Sequence, residues 1–223
     1  MLFDVEIIFR SLNLLLVGAM WTIGITLVSV SLGVVIGLLV GIAELSRYRI
    51  LRLPAKVYVD FIRGTPLLVQ IFIIYFALPA LIGARVEPFV AAVAACSINS
   101  GAYVAEIFRA GIQSIDKGQT EAGRSLGMTW GQTMRYIIIP QAFRRIIPQL
   151  GNEFIAMLKD SSLVSVIGFE ELTRKGQLVI ASTYASLEIW TAVAIIYLIM
   201  TLSISRFVAF LELKYNGPKK RSA

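Results

Sequence analysis

From Ser11 to Ala43 the chain carries no Asp, Glu, Lys or Arg. That run exceeds the roughly 20 residues a helix needs to cross a bilayer core, so a helix built from it must tilt or protrude. Three further charge-free runs are long enough to span: Gly64 to Ala84, the stretch between Glu87 and Glu106, and the stretch between Glu188 and Arg206. A fifth, Ile146 to Leu158, is interrupted by Glu153, and hydropathy alone does not decide it. Composition agrees with a membrane chain. Of 223 residues, 57% are hydrophobic and 16% charged, whereas a soluble domain carries about 25% charged residues. Disorder needs the opposite balance. Cys96 is the one cysteine and His is absent. An internal disulfide is therefore excluded, and a Cys/His metal site is implausible.

These runs predict an all-α polytopic membrane protein, a single domain over residues 1–223. Five spans are expected at about 12–43, 65–84, 88–108, 138–159 and 187–206. Counting Lys and Arg for that arrangement puts 16 on one side and 5 on the other. The 16 side is cytoplasmic by the positive-inside rule, which places the N-terminus outside and the C-terminus inside. Omitting the fourth span would carry the C-terminal basic cluster outside, so the charges support that span. They also account for the net charge of +7 without nucleic acid. The opening Met1-Leu2-Phe3-Asp4-Val5-Glu6 lacks the basic leader of a secretory signal.

Smaller signals set the packing. Gly33, Gly37 and Gly41 form a smooth stripe, suited either to ordinary helix packing or to a dimer contact. Residues 50–62 mix apolar and basic side chains and suit a helix at the cytoplasmic interface. Thr65 is a candidate cap for the second span, with Pro66 at its start. The tail Asn216 to Arg221 is expected to fray.

The polar segment between spans three and four is the informative one. Thr120 can cap a helix of about two turns with Glu121 at its positive end, and Gly127 can stop it with a positive φ. A second helix then runs to Pro140. A short helix held off the membrane suits a partner's groove.

These residues resemble the EAA loop of ABC importer permeases. Glu121-Ala122-Gly123, three residues, Gly127, nine residues and Ile137-x-Ile139-Pro140 follow the pattern Glu-Ala-Ala-x3-Gly-x9-Ile-x-Leu-Pro. The departures are Gly123 for Ala and Ile139 for Leu. Arg63-Gly64-Thr65-Pro66-Leu67-Leu68-Val69-Gln70, Pro140-Gln141-Ala142-Phe143-Arg144 and Leu158-Lys159-Asp160-Ser161-Ser162-Leu163 look like the polar amino-acid branch of that family. The resemblance covers about residues 10 to 215.

It implies the transmembrane subunit of a type I ABC importer in a bacterial inner membrane. Two permease subunits, a homodimer or close paralogues, would form the pathway. Two cytoplasmic ATPases would each receive a coupling helix, and an extracytoplasmic solute-binding protein would deliver an amino acid. The coupling helix would lie at about Lys117 to Leu126. Glu121, Ala122, Gly123, Arg124 and Gly127 form the coupling set, with Glu121 either contacting the ATPase or capping the helix. The chain has no G-x-x-x-x-G-K-[ST] loop to cradle a phosphate. It is therefore expected to be no enzyme and to hold no cofactor, with ATP and Mg bound by the partner.

Charge buried in a bilayer is costly, so polar residues in spans point to a pathway or a partner. In span four, Gln149, Glu153 and Asp160 stand at i, i+4 and i+11, within about 40° of one another at about 100° per residue. Span three offers Asn99 and Tyr103 at i, i+4. A carboxylate at Glu153 would attract a cationic side chain, which points to a basic L-amino acid. Asn99, Tyr103 and Asp160 would hold its polar atoms, with Leu67 and Leu163 as apolar walls. Glu153 could instead pair with Arg145 or Lys159 and lock helices together. Glu106 could be a gate residue or a snorkelling surface charge. The same machinery could serve glutamine or glutamate. From other classes, a stand-alone secondary transporter would need a repeat that is not evident, and a membrane enzyme would need a nucleophile with a nearby base.

Overall fold

The computed structural model describes residues 3–216, so the predicted fraying of residues 217–221 lies outside the described residues. Every regular element among them is helical. Helix α1, Val5–Glu44, opens at Asp4, whose carboxylate accepts from the Glu6 amide at 2.9 Å. Its 40 residues reach about 60 Å, twice the hydrocarbon thickness. After it come α2 (Arg49–Arg63), α3 (Leu67–Phe72) and α4 (Leu78–Ile82), then α5 (Pro88–Gln113), α6 (Lys117–Ser125) and α7 (Trp130–Thr133). The chain ends in α8 (Ile139–Asp160), α9 (Leu172–Thr183) and α10 (Ser186–Asn216).

The glycine stripe of α1 is used inside the chain. A Cβ on Gly33 would meet Ser100 Cβ at 2.8 Å, and one on Gly37 would meet Val104 Cγ1 at 2.5 Å. Gly41 faces Ala105 and Phe108. The stripe therefore lets α5 approach α1 backbone to backbone, and the dimer reading of it is overturned. Cys96 is buried in the same core with Ile25, Ile71, Ala92 and Met157.

The expected second span departs from its prediction. Thr65 does not cap it. Pro66 precedes its first residue, while the Thr65 hydroxyl donates back to the Phe61 carbonyl at 2.9 Å. The helix from Leu67 loosens into a π turn at Ile73–Ala77, just before Pro79, and ends at Ile82. A second π turn, Met134–Ile138, precedes Pro140 in the same way. Proline lacks an N–H and crowds the carbonyl four residues back, so the ladder widens there instead of breaking. Pro140 thus passes the helix on into α8 rather than stopping it.

Three helices are long and apolar enough to cross a membrane among the described residues: Val5–Glu44, Pro88–Gln113 and Ser186–Leu213. The pair Arg49–Arg63 and Leu67–Leu81, bent by 104°, makes a fourth if it is one broken span. The large apolar side chains left exposed on α1 and α10, such as Phe9, Met20, Leu39, Leu198 and Phe207, are the surface a lipid tail would cover.

An unforeseen pin sits between α8 and α9. Glu171 is fully buried, and its carboxylate accepts from the amides of Thr173 and Arg174, each at 2.8 Å, and from the Tyr197 hydroxyl of α10 at 2.9 Å. The next residue, Leu172, donates its amide to Thr22 of α1 at 3.2 Å. One carboxylate thereby ties α9 to α10 beside its contact with α1. Glu171→Ala strips the cap and leaves the Tyr197 hydroxyl only its 3.1 Å contact with Thr173, costing about 1.5–3 kcal/mol locally. Hydrogen exchange of the first-turn amides of α9 is expected to speed up at least tenfold (about 1.4 kcal/mol per decade), with smaller changes in α5.

Candidate functional site

Two polar regions stand out, one outside the helix bundle and one between α5 and α8. The first is α6. Asp116, not Thr120, caps it: its carboxylate accepts from the Gly118 amide at 2.7 Å, and Thr120 lies inside the helix. Gly127 ends the segment at φ 79°. Around it, the Gly127 amide donates to Arg124 O at 3.0 Å and the Met128 amide to Gly123 O at 3.1 Å. That closure needs a residue free to adopt positive φ. Thr129 and Gln132 then form a capping box that restarts the chain as α7.

The faces of α6 divide cleanly. Gly123 is buried, and a Cβ there would meet Thr133 Cγ2 at 2.9 Å and Ile137 Cδ1 at 3.0 Å. Glu121, Ala122 and Arg124 are exposed beside an 81% exposed Leu126 and a 63% exposed Trp130. Gln141 of α8 donates to Gln119 at 3.1 Å, and Arg145 of α8 donates to Ser114 O at 2.5 Å. The helix is thus a knob with an apolar and charged outer face, clamped from behind by the start of α8.

The second region is the facing sides of α5 and α8. Glu153 is buried (9% exposed) and makes no ion pair among the described residues. Arg145 points to Ser114, to which one of its nitrogens donates, and Lys159 is exposed. The helix-locking ion pair considered for Glu153 is therefore not formed. Ser100 of α5 interacts with the Glu153 carboxyl. Asp160 is exposed at the end of α8, where the chain enters a 3-10 turn, Ser161–Ile167. Leu67 and Leu163 belong to one apolar cluster with Met157, Val164 and Ile167.

Asn99 and Tyr103 do not sit together as the stripe suggested. Asn99 is buried and donates to Gln70 Oε1 at 3.0 Å. Gln70 in turn donates to Ile62 O at 2.8 Å and Thr65 O at 3.1 Å, which holds the sharp α2–α3 bend against α5. Tyr103 is partly exposed, with the Arg63 guanidinium 5.4 Å from its ring centre. Glu106 is not a free surface charge. Its oxygens accept from Arg109 at 2.9 and 2.5 Å, and Arg63 stands 3.6 Å away. Gln70, Arg63 and Glu171 carry structure that the sequence reading did not weigh. The available signal was a lone amide in an apolar helix.

Residues 33–217 match the family described as the binding-protein-dependent transport system inner membrane component. The chain belongs to that family. Among curated relatives, it is 48% identical over 213 residues to the glutamine transport system permease protein GlnP of Escherichia coli (strain K12), covering 95% of this chain and 97% of that one. It is 41% identical over 188 residues to the arginine transport system permease protein ArtQ of Bacillus subtilis (strain 168), covering 84% and 86%. Among solved structures, a chain of an amino acid ABC transporter with histidines superposes with a TM-score of 0.92 at 45% identity, covering 96% of this chain and all of that one. The inward-facing MetNI methionine ABC transporter superposes at 0.76 with 20% identity, covering 90% and 96%, and supports the fold alone.

Proposed function

We propose that this chain is the membrane-spanning subunit of an ATP-driven importer of amino acids, with basic L-amino acids as its preferred substrates. Family membership and the two permease relatives support amino-acid import. The observation that carries the side-chain preference is Glu153, a buried carboxylate between two helices without a cationic partner among the described residues. A guanidinium or ammonium group arriving there would supply the missing countercharge, and desolvated pairs of this kind are strong when geometry and hydrogen bonds are good. Ser100, whose hydroxyl oxygen is buried, adds a polar atom beside it. Asp160 at the end of α8 and Tyr103 of α5 would meet the substrate's remaining polar atoms. Leu67 and Leu163 would close the apolar wall, and Asn99 would act from behind by holding Gln70.

In this reading α8 is a fifth span despite its charges, the N-terminus is outside, and α6 is cytoplasmic. Glu121, Ala122, Arg124 and the Leu126 side chain would enter a groove of a separate ATPase, which binds ATP and Mg. A second permease subunit would complete the path, and a binding protein would load it. A second reading rests on the 48% identity to a glutamine transport system permease protein: the site around Glu153 would then take a neutral amide.

The test is Glu153→Gln in the complex reconstituted with its ATPase and binding protein. Loss of a desolvated charge pair is worth about 2–4 kcal/mol. Arginine-stimulated ATP turnover and uptake should therefore fall at least 30-fold, with glutamine transport little changed. Unchanged arginine uptake would remove the assignment and leave the amide reading.

A further inference from the structure

We infer that the cleft between α5 and α8 is a second amino-acid site, built for the zwitterionic head that all α-amino acids share. The cleft measures about 350 Å³ and is lined by Glu106, Ala110, Ser114, Arg145 and Gln149, among others. The inference rests on the reading above in which the polar face of α8 borders the pathway. It deepens that reading by assigning the head group rather than the side chain.

Opposite charges face each other across the cleft. Arg145 stands on α8 and Glu106 on α5. Arg145 donates from one nitrogen to Ser114 O and makes no ion pair among the described residues. A guanidinium carries five N–H donors, so most of its fork is available for a carboxylate. Gln149, one turn along α8, makes no hydrogen bond among the described residues and offers an amide to the same group. Glu106 is oriented by Arg109 and Arg63, yet a carboxylate has about four acceptor positions and can still receive an ammonium. Arg145, Gln149 and Glu153 are spaced four residues apart, so they share one face of α8. A substrate leaving Glu153 would meet Gln149 and then Arg145, about 12 Å along the axis. An anionic lipid headgroup would find the guanidinium but bring no ammonium for the free acceptor positions of Glu106, which favours a zwitterion. The bond from Arg145 to Ser114, two residues before the Asp116 cap of α6, joins this site to the coupling helix.

The probe is Ala110→Cys, placed in the exposed wall of the cleft, with native Cys96 buried and silent to labelling. The nucleotide-free complex with its ATPase is held in nanodiscs of neutral lipid, and maleimide labelling is timed. Arginine and glutamine should each slow labelling at least fivefold at saturation, whereas their decarboxylated amines, agmatine and 4-aminobutanamide, should not. Arg145→Gln in the same background should abolish protection, and Arg145→Lys should keep part of it. Absence of protection, or equal protection by the amines, overturns the inference. Slowing by anionic lipid alone also overturns it and assigns the cleft to a headgroup. If the Arg145→Gln complex fails to assemble, the comparison of amino acids with amines decides. Both arginine and glutamine are expected to protect, so a failed Glu153 test leaves this result standing, and failure here leaves the uptake preference untouched.

Discussion

Gly123→Leu is expected to uncouple the complex, reducing binding-protein-stimulated ATP turnover to its unstimulated level. The side chain would have to enter the space held by Thr133 and Ile137, where even a Cβ approaches to 2.9 and 3.0 Å. Overpacking of this kind costs about 1–3 kcal/mol in a core. A two-turn helix clamped by few contacts relieves it by lifting away. The outer face of Glu121, Ala122, Arg124 and Leu126 would then miss its groove. Because α6 lies outside the apolar helices, the variant should still insert and fold. Gly131→Ala is the control, since nothing lies within 4 Å of a Cβ there. Turnover measured with the loaded binding protein reads the effect, and normal stimulation of the Gly123→Leu complex would contradict the assignment of α6.

Gly37→Leu is expected to prevent folding of the subunit itself. A Cβ at Gly37 would stand 2.5 Å from Val104 Cγ1, 2.6 Å from Val104 Cβ and 2.8 Å from the Ala105 amide nitrogen. The last is backbone, so no change of rotamer relieves it, and α1 must separate from α5. Helix association in lipid depends on close packing rather than on a hydrophobic force. We expect a loss above about 3 kcal/mol, beyond the usual range for overpacking. The readout is the yield of monodisperse complex and its thermal midpoint in detergent. Gly24→Leu, on the same helix with nothing within 4 Å of its Cβ, should behave as wild type.

Much of this was legible in the residues. Charge-free runs marked α1, α5 and α10, because length without charge has few physical outcomes. The family resemblance puts α6 within a residue of its ends, at about Lys117 to Leu126, and Gly127 marks its stop. The residues alone suggest Thr120 as its cap, although Asp116, which caps equally well, lies four residues earlier. The path of the second span was not legible: the bend at Arg63–Leu67 is held by Gln70 reaching across to Ile62 and Asn99, a tertiary contact with no local signature. For the same reason the α5 stripe was read as one face, when Asn99 turns inward and Tyr103 outward. Glu153 could be singled out by its cost in a bilayer. The absence of a partner could be seen only once Arg145 was found on Ser114.

The most direct test of the whole account uses proteoliposomes with amino acid outside, prepared with and without the cognate ATPase. With ATPase, ATP and loaded binding protein present, the amino acid should accumulate against its gradient, and omission of the ATPase should abolish accumulation. Uphill accumulation by this polypeptide alone would contradict the account.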